Sequence, residues 1–164
     1  MADTIRKLGQ ATIKVACSTE GAKILCKIDS GSEFEYTAPS VTYFNCTFQA
    51  RATKADMLDS DMASVNIEVQ LPKPTLSAQN NGDSATVTIT NKASYNVYSN
   101  FKFRYTTDGS APTAESSEVP ASGLVVNENC TVKVAAIGTD NVASEVASIE
   151  VSTVKVATPT ITVE

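Results

Sequence analysis

A chain of 164 residues, 42% of them hydrophobic and only 7 Gly and 6 Pro, can build one medium domain or two small ones and is not disordered. Its formal charge of −5 excludes the basic face that a nucleic-acid binder needs, so no nucleic-acid partner is expected. His is absent, which removes the usual base beside a Ser or Cys nucleophile and the commonest metal ligand. No apolar run approaches a membrane span, and MADTIRKLGQATIKV lacks the apolar core of a signal peptide. The chain is therefore expected to stay in the cytoplasm, or to leave it inside a larger particle.

In chain order, Ile13, Val15 and Cys17 alternate with Thr12, Lys14 and Ala16, the period of a strand with one buried face. Cys46, Phe48, Ala50 and Ala52 repeat that pattern around Thr47, Gln49 and Arg51. Leu71-Pro72-Lys73-Pro74 then makes a stiff, extended joint. Beyond it Ala85, Val87 and Ile89 alternate with Thr86 and Thr88, Phe101, Phe103 and Tyr105 with Lys102 and Arg104, and Cys130, Val132 and Val134 with Thr131 and Lys133. No segment carries a helical stripe with caps. Short alternating strands between Gly, Pro, Ser and Asp turns predict an all-β chain of small antiparallel sandwiches.

The chain also repeats itself. Asn45-Cys46-Thr47-Phe48 returns as Asn129-Cys130-Thr131-Val132, and Asp56, Ser60 and Ala63-Ser64 fall on Asp140, Ser144 and Ala147-Ser148. Ile67-Glu68-Val69 is set against Ile149-Glu150-Val151, Lys23–Asp29 against Lys102–Asp108, and Ala38-Pro39 against Val119-Pro120. One module of about 70–80 residues is used twice. The expected organisation is two tandem immunoglobulin/fibronectin-III-like sandwiches, residues 1–71 and 72–154, followed by an extended tail, 155–164.

Between strands of the second copy lies Phe103-Arg104-Tyr105-Thr106-Thr107-Asp108-Gly109-Ser110-Ala111-Pro112-Thr113. Asp108-Gly109 supplies a tight turn and Pro112 fixes the departing chain. Tyr105 to Thr113 resembles the YTTDGSxPT run of the immunoglobulin-like module at the C-terminus of chitobiases and β-hexosaminidases. The first copy matches through Gly21-Ala22-Lys23-Ile24 and Tyr36-Thr37-Ala38-Pro39, with Cys26 in place of the Tyr and Ile28-Asp29-Ser30-Gly31 in place of the turn. The resemblance implies an accessory sandwich; the glycosidase active site lies in another domain and carries no activity here. The stretch is expected to turn the chain, not to catalyse.

Other candidates have plain and sharp readings. Asp56, Asp59 and Asp61 are solvated turn acids or a weak calcium site, although their spacing fits no known calcium loop. Asn45-Cys46-Thr47 and Asn129-Cys130-Thr131 have the form of glycosylation acceptors, but both open the same strand of the module. The four cysteines show no metal spacing and are expected to be reduced and buried, with a Cys17–Cys26 or Cys17–Cys46 bridge as the alternative. The insertion Asn91–Asn100 brings Tyr95, Asn96 and Tyr98. Either it recognises a partner or one tyrosine folds back over the end of the sandwich.

The tail repeats the first strand of the second module: Thr158-Pro159-Thr160-Ile161-Thr162 follows Lys73-Pro74-Thr75-Leu76-Ser77. It is expected to end the protein with the opening strand of a third module, whose Ile161 and Val163 add to an edge on a neighbouring chain. With no cofactor, no metal and no acid–base pair, the chain is expected not to be an enzyme. Short, acidic, unexported tandem modules suggest a structural component of a larger assembly. The expectation is an auxiliary or decorating protein of a bacteriophage particle, located in the virion and bound to the major capsid or another virion protein. The alternative is a carbohydrate-binding or adhesive module that meets a surface glycan.

Overall fold

A computed structural model describes residues 2–152, 160 and 162. Its contacts divide the chain into two compact units. Of the described residues, the first takes those up to Pro72 together with Tyr95–Phe101 and Gly138–Ser144; the second takes Lys73–Ser94, Lys102–Ile137 and those from Glu145. The change at Pro72 falls at the prolines of the joint, whereas two later segments go to the first unit.

The first unit contains β1 (Asp3–Leu8), β2 (Ala11–Ile13), β3 (Lys23–Ile28), β4 (Phe34–Glu35), β5 (Ser40–Thr42), β6 (Cys46–Thr53) and β7 (Ala63–Gln70). A five-stranded sheet runs β1-β7-β6-β3-β4, and a two-stranded sheet pairs β2 with β5. Ala11 and Ile13 of β2 bury against Cys26, Phe48, Ala50, Ile67 and Val69, so the core lies between the two sheets. β1 departs from the antiparallel expectation: it runs parallel to β7, from Asp3 opposite Val65 to Leu8 opposite Gln70, with every side chain exposed.

The second unit contains β8 (Leu76–Asn80), β9 (Ala85–Ile89), β10 (Phe101–Thr106), β11 (Ser117–Glu118), β12 (Leu124–Val126), β13 (Cys130–Gly138) and β14 (Ala147–Val151), with a 3-10 turn at Lys92–Tyr95. Its sheets run β11-β10-β13-β14 and β12-β9-β8. Ala85, Val87, Ile89, Val132, Val134 and Val151 form its core. Both units are immunoglobulin-like sandwiches, and the fold is all-β as the alternation predicts.

The ladder registers establish the repeat residue by residue. Cys46 faces Ile67 and Ala50 faces Ala63; Cys130 faces Val151 and Val134 faces Ala147. The offset between copies is thus constant along both strands (130 minus 46 and 147 minus 63 are each 84). This corrects one alignment. Ile67 answers to Val151 and Val65 to Ile149, so the two Ile-Glu-Val strings are similar in sequence but two residues out of register, which preserves the facing of the pleat. Likewise Tyr36 donates its amide to Ile24 and Val119 its amide to Phe103, so Tyr36, not Ala38, answers to Val119. Cys26 faces Phe34 where Tyr105 faces Ser117, as the sequence match has it. Even an ion pair repeats: Lys23 with Glu35 at 3.3 Å and Lys102 with Glu118 at 2.6 Å.

One predicted strand is shorter than its pattern. The alternation through Val15 and Cys17 continues, yet β2 stops at Ile13 and Cys17 is exposed. Among the described residues β2 has a ladder partner on one side only, β5, whereas its counterpart β9 lies between β8 and β12. On its paired side the register continues from Ser40 to Pro39, which has no amide to donate, and the Val15 amide donates instead to the Tyr36 hydroxyl at 3.2 Å.

Leu71 is 0% exposed, and its amide donates to the Val142 carbonyl at 2.9 Å. Leu71→Ala is expected to destabilise the chain by about 2–5 kcal/mol through lost burial and the cavity left behind. A fall in the urea midpoint at unchanged slope would show this; a midpoint within error of the parent would remove Leu71 from the core.

Candidate interaction surface

The Tyr105–Thr113 stretch is a self-contained turn. Gly109 has φ +87°, a conformation that L side chains rarely adopt. The Asp108 carboxylate accepts from the Ser110 amide at 3.0 Å and the Ser110 hydroxyl at 2.6 Å, and these bonds hold its carboxyl below the ordinary range. Thr106 Oγ1 donates to the Ser110 carbonyl, and the Lys133 ammonium donates to that of Gly109. The first copy uses Asp29 at the same place: its amide donates to the Thr47 carbonyl and its Oδ1 accepts from the Thr47 amide at 2.7 Å. Asp108 bridges Thr131, the counterpart of Thr47. The acids at these turns hold backbone, as expected of a turn.

Beside this turn a polar groove of about 430 Å³ is lined by Tyr105, Thr107 and residues 124–130. Glu128 is its one carboxylate. Sugar hydrolysis by the usual route requires two facing carboxyls, and the groove does not supply the second. Among the described residues no three His, Cys, Asp or Glu side chains converge on a metal position. In the acidic loop, Asp59 pairs with Arg51, which also grips Glu33 through Nε and Nη2 at 2.9 Å each. The Arg51 guanidinium holds the Glu33 carboxyl below its usual range. With Asp59 engaged by Arg51, the loop does not present a free acidic cluster.

The tyrosine insertion folds back onto the first unit. Tyr95 is 3% exposed, stacks on Phe101 at 5.3 Å, and donates its hydroxyl to the Pro72 carbonyl. Tyr98 is half-buried, meets the Tyr43 and Tyr95 rings edge-on at 6.3 and 6.1 Å, and donates to the Gly9 carbonyl at 2.5 Å. Burial raises both phenol pKa values, that of Tyr95 strongly. Both tyrosines therefore serve the packing of the first unit, because their rings carry more apolar area than a polar loop can leave in water. Asn96 stays exposed, beside Val97. Ile161 and Val163 lie outside the described residues.

The cysteines divide. All four are free thiols; Cys26 is buried, Cys46 and Cys130 are half-buried at matching strand positions, and Cys17 is exposed, contrary to the expectation for it. Asn45 caps backbone: its Oδ1 accepts from the Val69 amide at 2.7 Å.

A feature missed in the sequence is the tip of the loop after β6. Leu58 is 97% exposed, and Met57 and Met62 of the same loop are exposed as well. The loop base is pinned: the Ser60 amide donates to the Ala52 carbonyl at 2.9 Å, the Ala52 amide donates to Ser60 Oγ at 2.8 Å, and Arg51 holds Asp59. A small recess of about 110 Å³ lies alongside, walled by Cys17, Ala22, Ala52, Met57 and Leu58. In the sequence the acids of ADMLDSDMAS draw attention; the signal was the three apolar residues among them without strand alternation.

The fold that carries these surfaces is a β-sandwich of the immunoglobulin/fibronectin-III type. Residues 80–151 match a family model described as Fn3 associated, an accessory domain type without catalytic machinery, and the match covers most of the second unit. Comparison with curated proteins finds no match. No helix among the described residues is long and apolar enough to cross a membrane.

Tyr95→Ala is expected to lower the melting temperature by several degrees, since removing a buried aromatic typically costs about 3–5 kcal/mol. An unchanged melt would put the ring back on the surface. A thiol reagent at pH 8 is expected to modify Cys17 first and Cys26 last. Burial raises the Cys26 pKa, so the stability tied to its neutral thiol is intact below the ordinary thiol range and fades as pH rises through the folded value. Equal labelling rates at Cys17 and Cys26 in the folded protein would contradict that burial.

Proposed function

We propose that the chain is a non-enzymatic structural protein, an auxiliary or decorating component of a bacteriophage particle that docks on the major capsid or another virion protein. The observation that carries the docking is the Met57-Leu58 tip: two adjacent apolar side chains on a loop fixed at its base. Single exposed apolar residues are ordinary, but a pinned pair beside a recess loses little entropy on being covered. The acidic tandem architecture supports the particle setting, and the accessory character of the matched domain supports a role without catalysis. A glycan-binding reading has one observation behind it, the polar groove bearing Tyr105, Asn127 and Asn129.

Co-sedimentation of purified protein with gradient-purified particles tests the proposal. Leu58→Ser is expected to reduce bound protein roughly tenfold while leaving the melt nearly unchanged, since a surface substitution shifts stability by about 0.5 kcal/mol or less. Parent protein that fails to sediment with particles, or a variant that binds as well as the parent, contradicts it. Retention on immobilised glycan that falls with Tyr105→Ala would favour the second reading.

A further inference from the structure

The two sandwiches differ in where their first strand goes. In the second unit β8 pairs antiparallel with β9, Leu76 opposite Ile89 and Ala78 opposite Val87, and Leu76 packs on the core. In the first unit β1 pairs instead with β7, so the flank of β2 that matches the β8 side of β9 has no ladder partner among the described residues. The registers give the correspondence: Ile13 faces Ser40 and Val87 faces Leu124, so Ile13 answers to Val87 and Val15 to Ile89.

The vacant flank opens on a mainly apolar groove of about 200 Å³, lined by Ile13, Val15, Phe48, Ala50, Ala63 and Val65, with Lys14 and Ser64 the polar residues among them. Every counterpart of these residues in the second unit is covered more fully or as fully. Ala63 is exposed where Ala147 is 4% exposed, and Val15 is half-buried where Ile89 is 5% exposed. What covers them in the second unit includes β8. Among the described residues, the first unit is a sandwich with one strand position open.

The sequence carries a second copy of the strand that fits such a position. Aligned on proline, Thr158-Pro159-Thr160-Ile161-Thr162-Val163 follows Lys73-Pro74-Thr75-Leu76-Ser77-Ala78. We propose that residues 158–164 of a second copy of this chain add to the free edge of β2, antiparallel, with Ile161 opposite Val15 and Val163 opposite Ile13. Strand addition satisfies edge amides and carbonyls while alternate side chains fill the groove, the same division of labour as in other β-augmentation. The two surfaces are different, so the contact is head-to-tail and propagates into short chains of copies. This self-association is separate from docking through Leu58 and can fail without it.

Sedimentation equilibrium of the full chain over a range of concentrations, with two full-length variants, tests the inference. The parent is expected to associate more as concentration rises. Ile161→Asp, blocked in the donor, and Val15→Asp, blocked in the acceptor, are each expected to weaken association roughly tenfold or more, because a charge enters an apolar groove. Mixed, they restore one sound contact and give a dimer that cannot grow, a result that misfolding of either variant would not produce. A parent that is monomeric at every concentration overturns the inference. So does an Ile161→Asp variant that associates like the parent, or one whose monomer melts many degrees lower, which would seat the segment within its own chain.

Discussion

Everything in each sandwich is organised around one pairing, the antiparallel ladder of β6 with β7 and its equivalent, β13 with β14. These strands put Phe48, Ala50 and Ile67 into one core and Val132, Val134 and Val151 into the other. A period-two strand offers one register that buries its apolar set, and a slip of a single residue would turn that set to solvent. The constant 84-residue offset is the outcome of that constraint (130 minus 46). The Lys–Glu pair repeats further out, on β3–β4 and β10–β11, because β3 and β10 are themselves laddered to β6 and β13.

With the centre fixed, the periphery is free to vary. The first strand can lie on either sheet, the loop after β6 can carry Leu58 outward, and the insertion at Asn91–Asn100 can turn Tyr95 inward. None of these choices disturbs the central ladders. A sandwich built this way presents edges and loop tips to solvent.

The central strands were legible in the sequence because alternation and burial coincide there: Cys46 to Ala52 and Cys130 to Val134 read correctly, as did the Asp108-Gly109 turn. The match of Cys26 to Tyr105 also held, since it depends on local spacing from the turn. Non-local pairing was not legible. DTIRKL has no alternation, and its parallel ladder joins residues 62 positions apart, such as Arg6 and Glu68. β2 was read too long because the pattern in Ile13, Val15 and Cys17 states which face is apolar, not whether a partner strand is present. The tyrosines left two readings open for a related reason. A polar loop composition says that the backbone is near solvent, while the destination of a ring is settled by neighbours such as Phe101 and Pro72.

The central claim is that the two units are one fold differing in the placement of the first strand. Residue-resolved amide hydrogen exchange on dilute protein measures it directly. In β9, a strand with neighbours on both sides, all the amides from Ala85 to Ile89 should be protected. In residues 11–15 only those facing β5 should be, so that protection alternates along β2. Continuous protection through Ala11–Val15 at low concentration would show that a strand already covers the edge, and would contradict the account.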